Sequence, residues 1–472
     1  MMEWKALLNG ERFYDASRGA GDVRSELQRD YDRALFSSAV RRLQHKAQVF
    51  PLEPNDKVRN RLTHSHEVSC IARSLAERWV SGYGANRGLD EEVRLGVPVV
   101  CATVGLLHDL GNPPFGHAGE MAIAEWFERH DEEVFGGVLD EDDKEAIWVR
   151  EDFLKFEGNA QTMRIILKLQ SILGDSGLNL TYGTLSACRK YVGRSIDVCK
   201  DDQGYKKPGF FWYERERVRK VEIRTDCVGD DGRGVRHPLT YLVEAADDIV
   251  YSTVDLEDAL SKGVLNWEML KKELLRRVKD AGQKNVLAEI IEQIDERLEK
   301  YIVVDVATER NTVAGQLLRT MLIGRFIESM VRAFDEHYDA IMKGEFGDEL
   351  VAVSDVCEIV KACKGVGFDH IYVIVANSKL EVMGRKVIHD LMDLFWDAVK
   401  DYEGRDSLKG SGYGEKVWRI MSANYRGLFE TWYEQADSEL ERQILKLHLV
   451  TDYVCGMTDH YARELHRELL GW

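Results

Sequence analysis

A chain of 472 residues is long enough for two or three domains or for one large helical unit. With 44% hydrophobic and 31% charged residues, its composition is typical of a globular protein. The formal net charge of −18 argues against a non-specific nucleic-acid coat or a membrane-surface binder, but it leaves room for a local basic pocket. The N-terminus lacks a secretory signal, and no apolar run is long enough to span a bilayer. We therefore expect a cytoplasmic protein without membrane contact.

The first half of the chain predicts a series of helices interrupted by proline. The stretch "RLTHSHEVSCIARSLAERWV" places apolar side chains from Val68 to Trp79 on one helical face. The apolar helix "PVVCATVGLLHD" should end near Asp109, because Pro113 and Pro114 cannot continue it. A helix should restart at "EMAIAEWFERH". This order leaves a short break between two helices.

Three stretches interrupt the helical pattern. Residues 131–146 are acidic and are expected to form a solvated insertion. The alternation in "PGFFWYERERVRKVEIRTD" predicts a β-hairpin. The Gly-rich region 400–416 predicts a loop. No proline follows Pro238, and the remaining sequence is mostly helical in pattern. The prediction is a mainly α fold, one large helical unit with a small β-hairpin accessory.

The break "LLHDLGNPPFGHAGE" concentrates polar groups with known chemistry. His108 and Asp109 can supply an imidazole nitrogen and a carboxylate to one metal, or serve as a core histidine beside a capping aspartate. His117 and Glu120 stand three residues apart on the restarting helix, so the carboxylate can hold the imidazole. The alternative is that His117 is an ordinary loop histidine and that Glu120 is a charge favoured by the dipole at the start of the helix.

A second polar stripe lies in the otherwise apolar segment "TYLVEAADDIVYSTVDLEDAL". Asp247, Tyr251 and Asp255 are spaced four residues apart and share one helix face. Such a stripe is either a solvated face or a set of site residues. Upstream, "RLTHSHE" offers His64 and His66 as further ligands.

The pattern H…HD…D, formed by His64, His108-Asp109 and Asp247, resembles the HD superfamily of metal-dependent phosphohydrolases. From about residue 35 to the C-terminus, the chain is similar to bacterial deoxyguanosinetriphosphate triphosphohydrolases. Seven ordered motifs carry this resemblance: "RRLQHKAQVFPLE", "RLTHSHEV", "LLHDLGNPPFGHAGE", "FEGNAQ", "KKPGFFW", "EAADDIVYSTVDLEDA" and "DYVCGMTDHYA". The resemblance implies an HD core over about 35–262, and a helical region over 263–472 that completes the nucleotide pocket.

The same resemblance implies a metal and a reaction. His64, His108, Asp109 and Asp247 would hold one divalent ion, Mn, Mg or Co, which acidifies water and polarises a phosphoryl group. Water would attack the α-phosphorus of dGTP, releasing deoxyguanosine and inorganic tripolyphosphate. His117 and Glu120 would be the catalytic pair, with the direction of proton transfer left open.

Substrate contacts are implied position by position. Tyr251 and Asp255 match the residues that meet the deoxyribose and select against a 2′-hydroxyl. Arg61, Asn159, Lys190, Tyr191 and Lys207 match phosphate and sugar contacts, and a triphosphate needs several cations. The residues expected to meet the base are Gln48, Val49, Tyr372 and Glu381, the last by pairing with guanine. In the Gly-rich region, Arg405, Lys409 and Lys416 are candidates only.

Two alternative hypotheses about the function stay open. One is a broader dNTP triphosphohydrolase activated by a bound nucleotide, and the other is a non-catalytic nucleotide- or nucleic-acid-binding regulator on an HD fold. The resemblance also implies a homo-hexamer, and single-stranded DNA is kept as a candidate effector. The intact set of ligand and catalytic residues favours the dGTP hydrolase.

Overall fold

The computed structural model describes residues 1–14, 22–50, 52, 58–136, 143–170, 176–301, 307–405, 407–408 and 412–471. These residues are largely helical, and their strand-like pairs are isolated β-bridges such as Ala47–Asn60. The prediction of a mainly α fold is confirmed. No helix in the described ranges is both long and apolar enough to cross a membrane.

The first half of the chain contains twelve α-helices in the part that the structure describes. Their bounds are α1 Trp4–Leu7, α2 Glu26–Leu35, α3 Ser38–Arg42, α4 Arg61–Tyr83, α5 Glu91–Leu107, α6 His117–Arg129, α7 Asp131–Phe135, α8 Lys144–Leu154, α9 Gly158–Arg164, α10 Tyr182–Ala187, α11 Arg215–Arg224 and α12 Pro238–Ser261. Short 3-10 turns and one π-turn, Ile165–Leu169, join them.

The second half is built from longer helices. Their bounds are α13 Trp267–Arg277, α14 Ala281–Tyr301, α15 Ala307–Glu336, α16 Tyr338–Lys343, α17 Leu350–Val353, α18 Cys357–Gly367, α19 Val375–Val399, α20 Tyr413–Ile420, α21 Ala423–Gln435, α22 Glu439–Cys455 and α23 Asp459–Leu470. A π-turn, Phe368–Tyr372, connects α18 to the segment before α19.

Helix α4 begins and α5 ends close to where the sequence predicts, whereas α6 begins three residues earlier than expected, at His117. The side chain of Asn60 caps α4 by accepting a hydrogen bond from the Thr63 N–H. Val68 and Trp79 are fully buried on its apolar face. Helix α5 ends with His108 as its C-cap, and α6 restarts at His117. The break between them carries the polar groups that the sequence singles out.

Apolar side chains form two clusters, and both combine early and late parts of the chain. One packs α6, α8 and α9 with α19 and α22. The other packs α4, α5 and α12 with α15 and α18. The late helices therefore cover the same helices that carry the candidate ligands.

The predicted β-hairpin is wrong, because Arg215–Arg224 forms α11 after a 3-10 turn at Trp212–Glu214. Val218 and Val221 are three residues apart and share the buried helical face, whereas Ile223 is 58% exposed. The alternation in the sequence therefore does not correspond to a strand. Long charged side chains favour a helix here, and the aromatic residues before α11 are buried in the core.

The acidic segment 131–146 is only partly the solvated insertion that the sequence predicts. Asp131–Phe135 forms α7, and Val134 and Phe135 are buried in the core because they face α6 and its neighbours. Residues 137–142 lie outside the described residues. In the Gly-rich region, Lys409 also lies outside them, Lys416 is exposed on α20, and Arg405 forms an ion pair with Glu434 at 2.8 Å.

Candidate metal centre and active site

Helices α4, α5 and α12 bring four candidate ligands together. His64 on α4 lies with its Nε2 3.2 Å from Oδ1 of Asp247 on α12. His108 Nε2 is 3.6 Å from the same oxygen and 3.7 Å from Oδ1 of Asp109. The rings of His64 and His108 are 5.4 Å apart between centroids. Residues from three distant parts of the sequence thus meet at one point.

The donor atoms suit a divalent cation. His64, His108 and Asp109 each offer one ligand atom within 4.8 Å of the others. His108 Nδ1 contacts the Gly105 carbonyl at 2.7 Å, which directs Nε2 towards the carboxylates. Among the described residues, His108 Nε2 is buried without a hydrogen-bond partner. A buried nitrogen of this kind is expected to bind a ligand.

Both carboxylates favour the charged form that binds metals. Burial opposes ionisation of Asp109, but Arg61 and the histidines outweigh it and lower its pKa to about 2. Burial also acts on Asp247, whose pKa is nevertheless held well below its usual range by His108, His64 and Lys190. Both carboxylates are therefore ionised at neutral pH, and each owes its lowered pKa to neighbouring cationic or imidazole side chains.

The break after α5 is held close to these ligands. Asp109 accepts hydrogen bonds from Arg61 Nη1 at 2.6 Å and from Asn112 Nδ2 at 2.5 Å. Gly116 has a φ of 60°, and a Cβ there would lie 2.8 Å from Arg61 Nη2. Arg61 therefore lies between the ligand Asp109 and the residue that precedes His117.

His117 and Glu120 form the pair that the sequence predicts. His117 Nδ1 is 2.9 Å from Glu120 Oε2, and the imidazole is 75% exposed while the carboxylate is buried. The other Glu120 oxygen accepts a hydrogen bond from the Gly158 N–H at 2.9 Å. The hydrogen bond to Glu120 raises the pKa of His117. Nε2 of the imidazole is left facing away from its carboxylate partner.

Two residues of the second polar stripe contact a tyrosine from the second half of the chain. Tyr372 donates its hydroxyl to Asp255 Oδ2 at 2.6 Å. Its ring stacks on that of Tyr251, with centroids 5.9 Å apart. Burial raises the pKa of Asp255 to about 7. The three residues form one contiguous group, in which Tyr251 and Asp255 lie on the same helix as Asp247 and Tyr372 comes from the π-turn before α19.

Cationic and amide side chains also lie near the ligands, beside the carboxylates of Asp247 and Glu157. Lys190 Nζ is 3.9 Å from Asp247 Oδ2. Lys207 Nζ is 2.7 Å from Glu157 Oε2, and Asn159 Nδ2 donates to Oε1 of the same glutamate at 2.6 Å. Tyr191 is buried next to Lys190. Gly158 binds Glu120 through its N–H, which brings the segment of Glu157 and Asn159 next to the His117–Glu120 pair.

The residues expected at the base are only partly brought together. Gln48 and Val49 follow Ala47, which pairs in a β-bridge with Asn60, the N-cap of α4. In the described chain, Gln48 Oε1 is buried without a hydrogen-bond partner. Glu381 is exposed on α19. The same helix approaches the break at Gly384, which packs on the ring of Phe115.

Sequence reasoning missed residues that hold the predicted ones in place. Glu157 binds both Lys207 and Asn159, although only Asn159 of the motif "FEGNAQ" was singled out. Glu244 lies 3.9 Å from Lys190 and accepts a hydrogen bond from buried Arg236 at 2.5 Å. Its position one turn before Asp247 on α12 was the available signal, because residues three apart share a helix face.

Comparisons with known proteins agree with this geometry. Residues 61–172 match the HD domain family, and residues 350–468 match the phosphohydrolase-associated domain. A deoxyguanosinetriphosphate triphosphohydrolase-like protein of Listeria monocytogenes is 36% identical over the full length of both chains. A protein of the same description from Pseudomonas aeruginosa is 34% identical over all of this chain and 99% of its own. A Yersinia enterocolitica deoxyguanosinetriphosphate triphosphohydrolase is 29% identical over 93% of each.

The helical fold, the histidine–aspartate cluster and the HD match define a metal-dependent phosphohydrolase of the HD class. Within that class, the chain belongs to the deoxyguanosinetriphosphate triphosphohydrolase family.

Proposed function

We propose that the protein hydrolyses dGTP to deoxyguanosine and inorganic tripolyphosphate and so controls the dNTP pool. The position of Arg61 carries the proposal. Its guanidinium binds Asp109 at 2.6 Å and lies against Gly116, immediately before His117. A phosphate bound at this cation would lie between the metal ligands and the catalytic pair.

In this proposal His64, His108, Asp109 and Asp247 hold one divalent metal, with Mn, Mg and Co as candidates. A metal bound there supplies Lewis-acid polarisation of the phosphoryl group. Arg61 keeps the Asp109 carboxylate oriented through one oxygen and Asn112 through the other. The protein's own contribution is thus a fixed, charged donor set.

The reaction adds water to the α-phosphorus and breaks its bond to O5′, and the leaving oxygen takes up a proton. His117 is the group proposed to move protons here, since its Nε2 faces away from Glu120 and its imidazole is exposed. Glu120 orients the ring and favours its charged form. The Gly158 amide fixes the second oxygen of Glu120, which keeps the pair aligned.

Tyr251 and Asp255 are proposed to select deoxyribose. The Tyr251 ring would pack on C2′ and leave no space for a 2′-hydroxyl, and Asp255 would accept a hydrogen bond from the 3′-hydroxyl. Tyr372 supports this assignment because its own hydroxyl already donates to Asp255. The carboxylate is therefore placed to bind a hydroxyl donor.

Arg61, Lys190 and Lys207, with Asn159 and Tyr191, are proposed to bind the triphosphate. Nearby carboxylates outweigh burial and raise the pKa of Lys190 and of Lys207, so both side chains are charged at neutral pH. Charge-assisted hydrogen bonds are the strongest means of binding such an anion. These groups provide a local basic lining in a chain of net charge −18.

Guanine is proposed to bind beside Gln48 and Val49, with Glu381 pairing with its N1–H and amino group and Tyr372 stacking on the ring. The buried, unpaired Gln48 oxygen supports a ligand at this position. Glu381 would need a ligand that reaches α19, because among the described residues it makes no hydrogen bond or ion pair with the cluster. A homo-hexamer, single-stranded DNA as an effector, a cytoplasmic location and the HD-core boundaries 35–262 belong to the same proposal.

A substrate panel tests the proposal. Each dNTP and rNTP is incubated alone and in pairs with Mn, Mg or Co, and both nucleoside and tripolyphosphate are quantified. We expect dGTP to be hydrolysed fastest. Equal rates for all four dNTPs would instead support the broader enzyme. Activity that appears only with paired nucleotides would support nucleotide activation, and inactivity with every metal would support the non-catalytic regulator.

A further inference from the structure

The motif "DYVCGMTDHYA" has no role in the reaction proposed above. It spans residues 452–462, at the junction between α22 and α23. Asp452 at its start forms a buried ion pair with Arg164 of α9, at 2.7 Å. The rest of the motif reaches the two backbone segments that flank the metal ligands.

Asp459 binds both of these segments with its two carboxylate oxygens. Oδ1 accepts a hydrogen bond from the Phe115 N–H at 3.0 Å, and Oδ2 accepts one from the Ala47 N–H at 2.9 Å. The side chain is 2% exposed. It lies in the first turn of α23, where the helix dipole favours a negative charge.

The first of these amides controls the approach to His117. Phe115 has a φ of 65°, a conformation that residues other than glycine rarely adopt, and Gly116 follows with 60°. Such a backbone persists only where its surroundings hold it. The hydrogen bond to Asp459 is a contact of this kind, two residues before the catalytic histidine.

The second amide belongs to the base-facing segment. Ala47 precedes Gln48 and Val49 and pairs with Asn60 in an isolated β-bridge. Its neighbour Lys46 is buried and donates from Nζ to the Asn112 carbonyl at 2.5 Å and to the Cys455 carbonyl at 2.7 Å. Asn112 in turn binds Asp109. The late helices thus contact the Lys46–Ala47 segment twice and the break once, and Lys46 also joins the two segments directly.

We propose that Asp459 is a positioning residue that holds the Phe115–His117 turn and the Ala47–Val49 segment in one arrangement, with Lys46 as its partner. The inference rests on the proposed function for the role of His117. It assigns the phosphohydrolase-associated region a direct part in placing the active site.

The test replaces Asp459 with Asn, which keeps the size of the side chain. One of the two backbone N–H groups then faces the NH2 group of the asparagine, which cannot accept a hydrogen bond. Removing one hydrogen bond to a charged group should lower kcat about tenfold or more. Bound metal should not change, because no ligand is touched. Hydrogen exchange at the amides of residues 46–49, of Asn112 and of residues 115–117 should accelerate, a readout that needs no substrate.

A double-mutant comparison separates positioning from general damage. If Asp459 acts through His117, Asp459→Asn should cost little further kcat in a His117→Ala background, measured in single turnover. Glu468→Gln removes an exposed charge on the same helix and should change nothing. Tyr433→Phe removes a buried hydrogen bond to the Tyr402 carbonyl and should lower Tm without lowering kcat.

Lys46→Met provides a second variant that keeps the apolar stem and removes both hydrogen bonds. It should accelerate exchange at residue 112 and lower kcat in the same way. Unchanged hydrogen exchange in both variants would overturn the inference even if no nucleotide is hydrolysed. An equal loss of kcat from Asp459→Asn with and without His117 would also overturn it, while leaving the proposed function intact.

Discussion

His108 uses its two ring nitrogens for different purposes. Nδ1 contacts the Gly105 carbonyl one turn back, and Nε2 faces the carboxylates of Asp109 and Asp247. Glu120 divides its oxygens in the same way, between His117 and the Gly158 amide. At the scale of residues, both side chains therefore have one atom fixed by a backbone group, while the other atom faces a neighbouring site residue.

Replacing a ligand and replacing the acid/base group should have different effects. Asp109→Ala removes a carboxylate from the donor set and should abolish metal retention after dialysis. His117→Ala should retain the metal and bind dNTP normally, but lose about 10²–10⁴-fold in kcat. Metal analysis and binding titrations distinguish the two. Loss of metal from His117→Ala would show that its role is misassigned.

The His117–Glu120 pair makes a prediction about pH. Because the pKa of His117 is raised in the folded state, the pair stabilises the protein below the unfolded pKa of about 6.5, and this contribution is lost as pH rises through the folded value. Glu120→Gln should make His117 titrate at lower pH in NMR. Glu128→Gln, an exposed change on the same helix, should leave the titration unaltered. An unchanged His117 in Glu120→Gln would exclude the pairing.

Tyr372 competes with the proposed 3′-hydroxyl for Asp255. Tyr372→Phe keeps the ring against Tyr251 and removes the competing donor. We expect a KM for dGTP several-fold lower, on the order of one neutral hydrogen bond. A 2′,3′-dideoxy substrate lacks the 3′-hydroxyl and should show no such gain. The same decrease for both substrates would contradict the contact.

At the scale of elements, the sequence was informative where periodicity and capping were strong. Helices α4, α5 and α6 follow their apolar pattern and the proline break. Helix α11 was missed because Val221 and Ile223 stand two residues apart among charges, as in a strand, whereas the buried residues are Val218 and Val221, at helical spacing. Short segments of this kind satisfy both periods, and tertiary packing decides between them.

The site shows a similar division. His64, His108-Asp109 and Asp247 were predictable because their motifs resemble a family, and no local pattern places Asp247 next to His64, 183 residues away. Asp459 and Lys46 could not be assigned from the sequence, since they bind backbone amides and carbonyls. Such contacts depend on the path of the chain and leave no spacing signal.

Helices α9 and α22 are joined by a buried ion pair that should dominate local stability. Arg164 binds Asp452 at 2.7 Å and Glu214 at 2.6 Å, and all three are buried. Arg164→Met removes the guanidinium from two buried carboxylates and should cost about 3–5 kcal/mol in the free energy of unfolding. The exposed pair of Arg405 is the control, and Arg405→Ala should cost about 0–1 kcal/mol in the same urea titration. Equal losses would contradict this assignment.

At the scale of the whole molecule, the helices of the second half pack on the HD region and contact its candidate site residues. Both apolar clusters combine the two regions, Tyr372 reaches Asp255 on α12, and Asp459 reaches the break after α5. The net charge of −18 contrasts with the cations near the ligands. The cations proposed to bind a triphosphate, Arg61, Lys190 and Lys207, each lie beside a carboxylate of the candidate site or its surroundings.

The most direct test of the account is the fate of the water oxygen. Metal-replete protein is supplied with dGTP in oxygen-18 water, and both products are analysed by mass spectrometry. Attack at the α-phosphorus predicts one labelled oxygen in the tripolyphosphate and none in the deoxyguanosine. Label in the deoxyguanosine, or release of single phosphates in place of tripolyphosphate, would contradict the proposed reaction.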